Sequence, residues 1–262
     1  EVVIKNKKIG DANEAQVRLA LDVMDNCRRF VLDNCGYSNE TLAQLREDFR
    51  DGPKVVWRVW FGTEGRYTTF TDDDTIRAVY NVTDDTCGPM KYLEDVRYMD
   101  IGHNESLTDI SFVQYMPNLE CVILSGSSVQ DMSYFANCKK LLWLELCFCW
   151  RIEDLSVLEN HPTLKYLNVS FTKFSDLSVL ENVPQEADAT PRKKIVIVFT
   201  DGEPGANGYT RGDADVALAE AARIKASGAE IYTIGLYSAS SAQTVDIFMN
   251  QLSSNYDSHA FN

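Results

Sequence analysis

The chain has 262 residues, 45% apolar and 24% charged, a globular composition with enough apolar side chain for a sizeable core and no run near the roughly 18 residues a membrane span needs. Its net charge of −14 repels phosphate backbones and anionic lipid, and the 25 Lys and Arg form no cluster that reverses this, which argues against nucleic acid as a partner. Seven Cys, an odd and sparse set without a CxxC pair, fit buried free thiols better than a disulfide scaffold or structural zinc.

The length leaves one elongated domain or two compact ones open. The chain starts at Glu1 in an apolar stretch, with neither a basic n-region nor an initiator Met. Any export signal is therefore expected to have been removed or to lie outside this segment, and its absence decides nothing. Three strand candidates follow, "VVIKNKKIG", "RRFVLDNCG" and "VVWRVWFG". Between them "DANEAQVRLALDVMDN" and "SNETLAQLREDF" carry the apolar spacing of amphipathic helices, the second with Ser38, Asn39 and Thr41 as capping residues. Residues 1–62 read as βα repeats leading into the next region, and "TEGRYTTFTDDDTIRAVYNVTDDTCGP" as an irregular insertion, so that 1–91 form one unit.

The next unit, 92–185, repeats. Apolar residues at relative positions 1, 4 and 6 recur at Val96, Met99, Ile101; Leu119, Val122, Leu124; Leu141, Leu144, Leu146; and Leu164, Leu167, Val169, in steps of 23, 22 and 23 residues. An Asp-apolar-Ser follows at one phase, as Asp109-Ile-Ser111, Asp131-Met-Ser133, Asp154-Leu-Ser156 and Asp176-Leu-Ser178. Four registers agreeing at two places identify a structural repeat. The pattern resembles the leucine-rich repeat family, in the short-repeat form of bacterial surface proteins, with "LKYLNVSFTKFSDLSVLENVP" and "VRYMDIGHNESLTDISFVQYMPNL" carrying the match. The resemblance implies a short parallel strand per turn, a concave sheet and a continuous apolar core.

The repeat stops where its next leucine is due: Glu186 to Pro191 is an acidic, proline-containing linker. From 186 to 262 the pattern becomes strand "KKIVIVFT", glycine-rich loop "DGEPGANGYTRG", helix "DADVALAEAARIKASG", strand "AEIYTIGLY" and helix "SAQTVDIFMNQLSS". Two apolar strands joined by such a helix form a right-handed βαβ unit. "RKKIVIVFTDGEPG", "AARIKASGAEIYTIGLY" and "FMNQLSSNY" resemble the C-terminal half of a von Willebrand factor type A domain of Gram-positive adhesins. That resemblance places Asp201 at the late aspartate of a Mg²⁺ adhesion site, whose Asp-x-Ser-x-Ser strand has no counterpart here. One carboxylate does not hold a hard cation against water, so Asp201 is expected to be a capping or loop residue and no cofactor is expected. The remaining candidate ligands, Asn168, Ser170 and Thr172, are already explained by the repeat. Two exposed apolar faces need cover, so "KKIVIVFT" is expected to continue the sheet beside the strand at Leu164–Val169 and cap the solenoid. The alternative is a junction of pieces from two surface proteins near residue 185.

Catalytic patterns are weak. His103, His161 and His259 stand in different regions, with His161 in a turn where a solvated imidazole is the default, and there is no Gly-x-Ser-x-Gly elbow or Cys/His pairing. The loop glycines match no nucleotide-binding spacing. Function is instead expected on the concave sheet. Its position-3 column is Tyr98, Cys121, Trp143 and Tyr166; position 5 is Asp100, Ile123, Glu145 and Asn168; position 7 is Gly102, Ser125, Cys147 and Ser170. Tyr98, Asp100, Trp143, Glu145, Tyr166 and Asn168 are the candidate partner-binding residues, since aromatics beside acids and amides compose a recognition surface. The expectation is an α/β protein, a parallel leucine-rich-repeat solenoid with a C-terminal βαβ segment, binding a protein or glycan without catalysis at a bacterial cell surface. An intracellular scaffold using the same face, or a metal-dependent adhesin with a rebuilt Mg²⁺ site, is the alternative.

Overall fold

The computed structural model describes residues 1–180, 194–200, 211–235, 242–254 and 260–261. Strands β1 (Val2–Lys5), β2 (Arg29–Asp33) and β3 (Lys54–Phe61) pair in parallel through helices α1 (Glu14–Asp22) and α2 (Asn39–Asp48). Parallel pairing needs such crossovers, and the helices bury Val17, Leu21, Leu42 and Leu45 in return. The Ser38 hydroxyl accepts from the Thr41 N–H at 3.1 Å and starts α2. β4 (Tyr67–Phe70) then turns back antiparallel on β3, which closes a four-stranded sheet of order β1-β2-β3-β4. This unit is not strand-paired to the repeat sheet, although its apolar face merges with the repeat core.

The repeat sheet runs β5 (Thr75–Arg77), β6 (Tyr98–Asp100), β7 (Cys121–Ile123), β8 (Trp143–Glu145) and β9 (Tyr166–Asn168), all parallel, with the short helix α3 (Asp84–Cys87) after the first strand. The stretch read as an irregular insertion therefore holds β4 and β5, and the concave sheet starts one strand before the recognisable repeats. Asp73 occupies the first-position leucine site of that turn, leaving Ile76 and Ala78 as its buried signature, too little for a sequence match.

Positions 1, 4 and 6 of the next three turns are fully buried. On the convex side each turn is a short 3-10 helix: Ser111–Tyr115, Ser133–Asn137, Ser156–Leu158 and Leu177–Leu180. The recurring Asp-x-Ser starts them: Oδ1 of Asp109, Asp131, Asp154 and Asp176 accepts from the backbone N–H two residues on, at 2.7–3.0 Å. The alternation of 23 and 22 residues comes from one extra residue after the strand, Asn104–Leu107 against Ser127–Val129. Inside these turns stands the polar column Asn104, Ser127, Cys149 and Thr172. Buried Asn104 donates to the carbonyls of Ala78 and Ile101 and accepts from the Val82 N–H, which joins two turns. Ser127 and Thr172 each donate to the carbonyl three residues back.

The tail is built as β10 (Lys194–Thr200), α4 (Arg211–Ala226), β11 (Ala229–Gly235), α5 (Ala242–Leu252) and β12 (Ala260–Phe261). The expectation that β10 continues the repeat sheet beside β9 is overturned. β10 pairs over all seven residues with β11, which pairs with β12, in a separate three-stranded parallel sheet. A seven-residue apolar strand satisfies far more backbone on an equally long partner than on the three residues of β9. Ile224, Ile231, Phe248, Met249 and Leu252 form its own core. α4 lies against the last convex turn, while Leu164, Leu167 and Val169 stay half-buried.

Candidate functional site

Strand register brings the candidate residues into two columns. Tyr98, Cys121, Trp143 and Tyr166 pair in one row, and Asp100, Ile123, Glu145 and Asn168 in the other. Alternate residues of a strand face one way, so both rows lie on the concave face while Met99, Val122 and Leu144 between them are buried. Trp143 and Tyr166 stack with ring centroids 3.5 Å apart and planes 11° from parallel. Trp143 is 39% exposed and Tyr98 42%. The Arg97 guanidinium lies 5.4 Å from the Tyr98 ring centroid and pairs with Glu120 at 2.8 Å, which fixes that rim. Asp100 accepts from Arg77 at 3.2 Å, and Asn168 Oδ1 from the Ser170 N–H at 3.0 Å. The Glu145 carboxylate has no hydrogen-bond or ion-pair partner among the described residues. Burial, then the Glu145 and Asp100 carboxylates, push the Cys121 thiol pKa up.

A second ladder was not anticipated. At position 8 the backbone turns left-handed in five successive turns, with φ of 69° at Tyr80, 56° at His103, 71° at Gly126, 60° at Phe148 and 55° at Phe171. Four of these are bulky residues in a conformation that costs on the order of 1 kcal/mol each. Their rings stack along the solenoid: Tyr80 on His103 at 5.5 Å, and Phe148 on Phe171 at 4.4 Å, with Trp150 tilted against both phenylalanines. Phe148 is 45% and Trp150 57% exposed. Spacing alone could have revealed this column, but Tyr, His, Gly, Phe and Phe share no propensity that marks it.

Other candidates are placed differently. Asp201 and His259 lie outside the described residues. Thr172 spends its hydroxyl on the Val169 carbonyl, and among the described residues no group of three His, Cys, Asp or Glu is placed to hold a cation. His161 is buried rather than solvated: it follows Leu93, Met116 and Cys138 in a core column, and its Nε2 stands 3.1 Å from the Cys138 carbonyl. Burial lowers its pKa. The seven thiols are free, and burial pushes Cys138 up to about 12 and Cys87 up to about 11, far from a reactive thiolate. A shallow depression of about 380 Å³ between α2 and the first convex turns has Glu40 in its wall, bonded to the Tyr92 hydroxyl at 2.6 Å. Among the described residues no helix is long and apolar enough to cross a membrane.

This architecture, an α/β chain whose parallel sheet is built of short repeated strands over a leucine-lined core, is consistent with a leucine-rich-repeat solenoid. No protein-family model matches the sequence. Over 90 residues, 33% of this chain, it is 34% identical to a disease resistance protein of Arabidopsis thaliana, of which those residues make 7%. Among solved structures it is similar to an internalin of Listeria monocytogenes, at 20% identity and TM-score 0.45, covering 83% of this chain and 51% of that one. It is also similar to a leucine-rich-repeat protein of Leptospira interrogans, at 14% and 0.34, covering 70% and 45%. A third is internalin C2 of Listeria monocytogenes, at 13% and 0.37, covering 77% and 88%. The chain thus spans about half of the first internalin and a small part of the plant protein.

Proposed function

We propose that this chain is a non-enzymatic binding protein that engages a protein or glycan ligand through the concave repeat face, in adhesion at a bacterial cell surface. The observation that carries the reading is the stacked Trp143–Tyr166 pair beside the unpartnered Glu145 carboxylate, on a sheet whose core positions are fully buried as far as the Trp143 turn and half-buried under Tyr166. Exposed aromatics next to a charge are frequent in binding hot spots, and the Trp143 ring points away from the buried positions of its strand. The surface location and the von Willebrand A likeness of the tail rest on sequence resemblance, and binding is proposed to need no cofactor. The test is a panel of purified extracellular proteins and a glycan array probed with the full chain and with Trp143→Ala/Tyr166→Ala. The reading expects a ligand whose binding the double variant weakens at least tenfold while circular dichroism is unchanged. Equal binding by both proteins removes it.

A second reading, an intracellular scaffold using the same face, is favoured by the seven free thiols, the usual state in a reducing compartment. Identical binding of the thiol-alkylated and untreated protein to cytosolic but not extracellular proteins would choose it. The metal-dependent alternative depends on Asp201, which lies outside the described residues.

A further inference from the structure

Both aromatic ladders break at the same turn. On the concave sheet the short Cys121 stands between Tyr98 and Trp143, and in the left-handed column Gly126 stands between His103 and Phe148. Between these two breaks lie Ile123, the last residue of β7, and Ser125 in the turn that follows it. The face therefore dips at Cys121, between the rings of Tyr98 and Trp143, and at Gly126, between His103 and Phe148, in a trough over β7 whose flanking backbones are two strand spacings apart, about 9.6 Å. A backbone spacing of that order suits one extended chain lying along the strand better than a broad folded surface. The His103 ring leans over Gly126, so close that a Cβ there would sit 3.1 Å from Nδ1, and closes one end. Below that end the buried Ser125 hydroxyl has no hydrogen-bond partner among the described residues.

Charge sets the occupant. Asp100 and Glu145 stand in register on either side of Ile123. Glu145 is half-buried and unpartnered, and the Arg77 side chain beside Asp100 is 78% exposed, a weak surface pair. Both carboxylates flank the Cys121 thiol closely enough to push its pKa up after burial has done so. A neutral sugar leaves Glu145 uncompensated, and a second copy of this chain brings a net charge of −14 against a face of the same sign. A cation between two carboxylates, next to an open aromatic face, is favoured by both.

We propose that the trough over β7 docks an extended, basic segment of a protein partner, with a Lys or Arg over Ile123 between Asp100 and Glu145 and the neighbouring side chain between Tyr98 and Trp143. This rests on the concave-face reading and names its ligand.

The test pans a phage-displayed library of random dodecapeptides on the immobilised full chain, and measures the enriched peptides, resynthesised, by fluorescence anisotropy. Enrichment in Lys or Arg is expected, with affinity lowered about tenfold by Glu145→Gln, which removes the charge and keeps the shape. Cys121→Trp, which plants a ring in the trough, is expected to lower it at least as much, and Gln114→Ala on the convex side to leave it unchanged. If Cys121→Trp does not fold by circular dichroism, Glu145→Gln together with Asp100→Asn decides. No retained peptide, enrichment in neutral or acidic peptides, or basic peptides indifferent to these variants overturns the proposal. A glycan signal or a concentration-dependent dimer abolished by Cys121→Trp overturns it in favour of that occupant. Where Trp143→Ala/Tyr166→Ala abolishes binding and the trough variants do not, the trough proposal falls and the concave face stands; where none of them matters, both fall.

Discussion

Replacing Asn104 with Ala should be among the most damaging single changes outside the apolar core. The side chain is buried and makes three close hydrogen bonds, to the Ala78 carbonyl at 2.9 Å, the Ile101 carbonyl at 2.8 Å and from the Val82 N–H at 2.7 Å. Alanine leaves those three backbone groups in a dry interior, where each orphan costs about 1–3 kcal/mol; with partial relaxation the sum is about 3–5 kcal/mol. Ser127 holds the equivalent place one turn on but makes a single such bond, to the Leu124 carbonyl at 2.6 Å, which the Cys149 thiol also reaches at 3.2 Å. Ser127→Ala should cost about 1 kcal/mol or less. Urea unfolding followed by tryptophan fluorescence reads both, and in a thermal melt the Asn104 variant should lose on the order of 10 °C. Equal losses at the two sites, or less than about 1 kcal/mol for Asn104→Ala, would refute the hydrogen-bond reasoning.

Gly126→Ala puts a side chain on a backbone at φ 71° and 3.1 Å from the His103 ring, and should cost about 1 kcal/mol in the same urea assay. His161 ionises less readily in the fold than in the unfolded chain. Its contribution is therefore complete above the unfolded value near 6.5 and is lost as pH falls through the lower folded value, so His161→Gln should flatten the acid limb of a stability profile below about pH 6.5. Because the repeat and tail cores are separate, Leu144→Ala and Ile231→Ala should each cost about 2–5 kcal/mol. In hydrogen exchange the first should loosen only the repeats and the second only the tail; loosening of both by either would mean one cooperative unit.

Register was the most legible property of the sequence, because four copies of one turn vote on the same phase. Met99, Val122, Leu144 and Leu167 fall in line in the structure as they do in the alignment. Where only one copy speaks, the signal fails: β5 has an aspartate in the leading apolar position, and β4 is a single antiparallel return with no periodic partner. His161 misled because a histidine between Asn160 and Pro162 suggests a solvated turn, whereas the column Leu93, Met116, Cys138 shows that its place is internal. The tail strand was misplaced for a different reason. Sequence shows that β10 needs a neighbour but not which edge it meets, and β11 offers seven residues to the three of β9. Of the candidate site, the two concave rows were readable from period alone, while the left-handed column depends on backbone torsion that no shared residue type announces.

The 3-10 turns on the back of the solenoid limit how far it bends. A stack curves when its outer elements are wider than the strand spacing inside, and a full α-helix, about 10 Å across, forces a strong arc on strands about 4.8 Å apart. Single tight turns such as Ser133–Asn137 and Ser156–Leu158 demand much less girth. The strand face then curves inward less tightly than one backed by full helices would. A gently curved face surrounds a rounded partner less completely, and close contact falls to a chain that lies along a single strand.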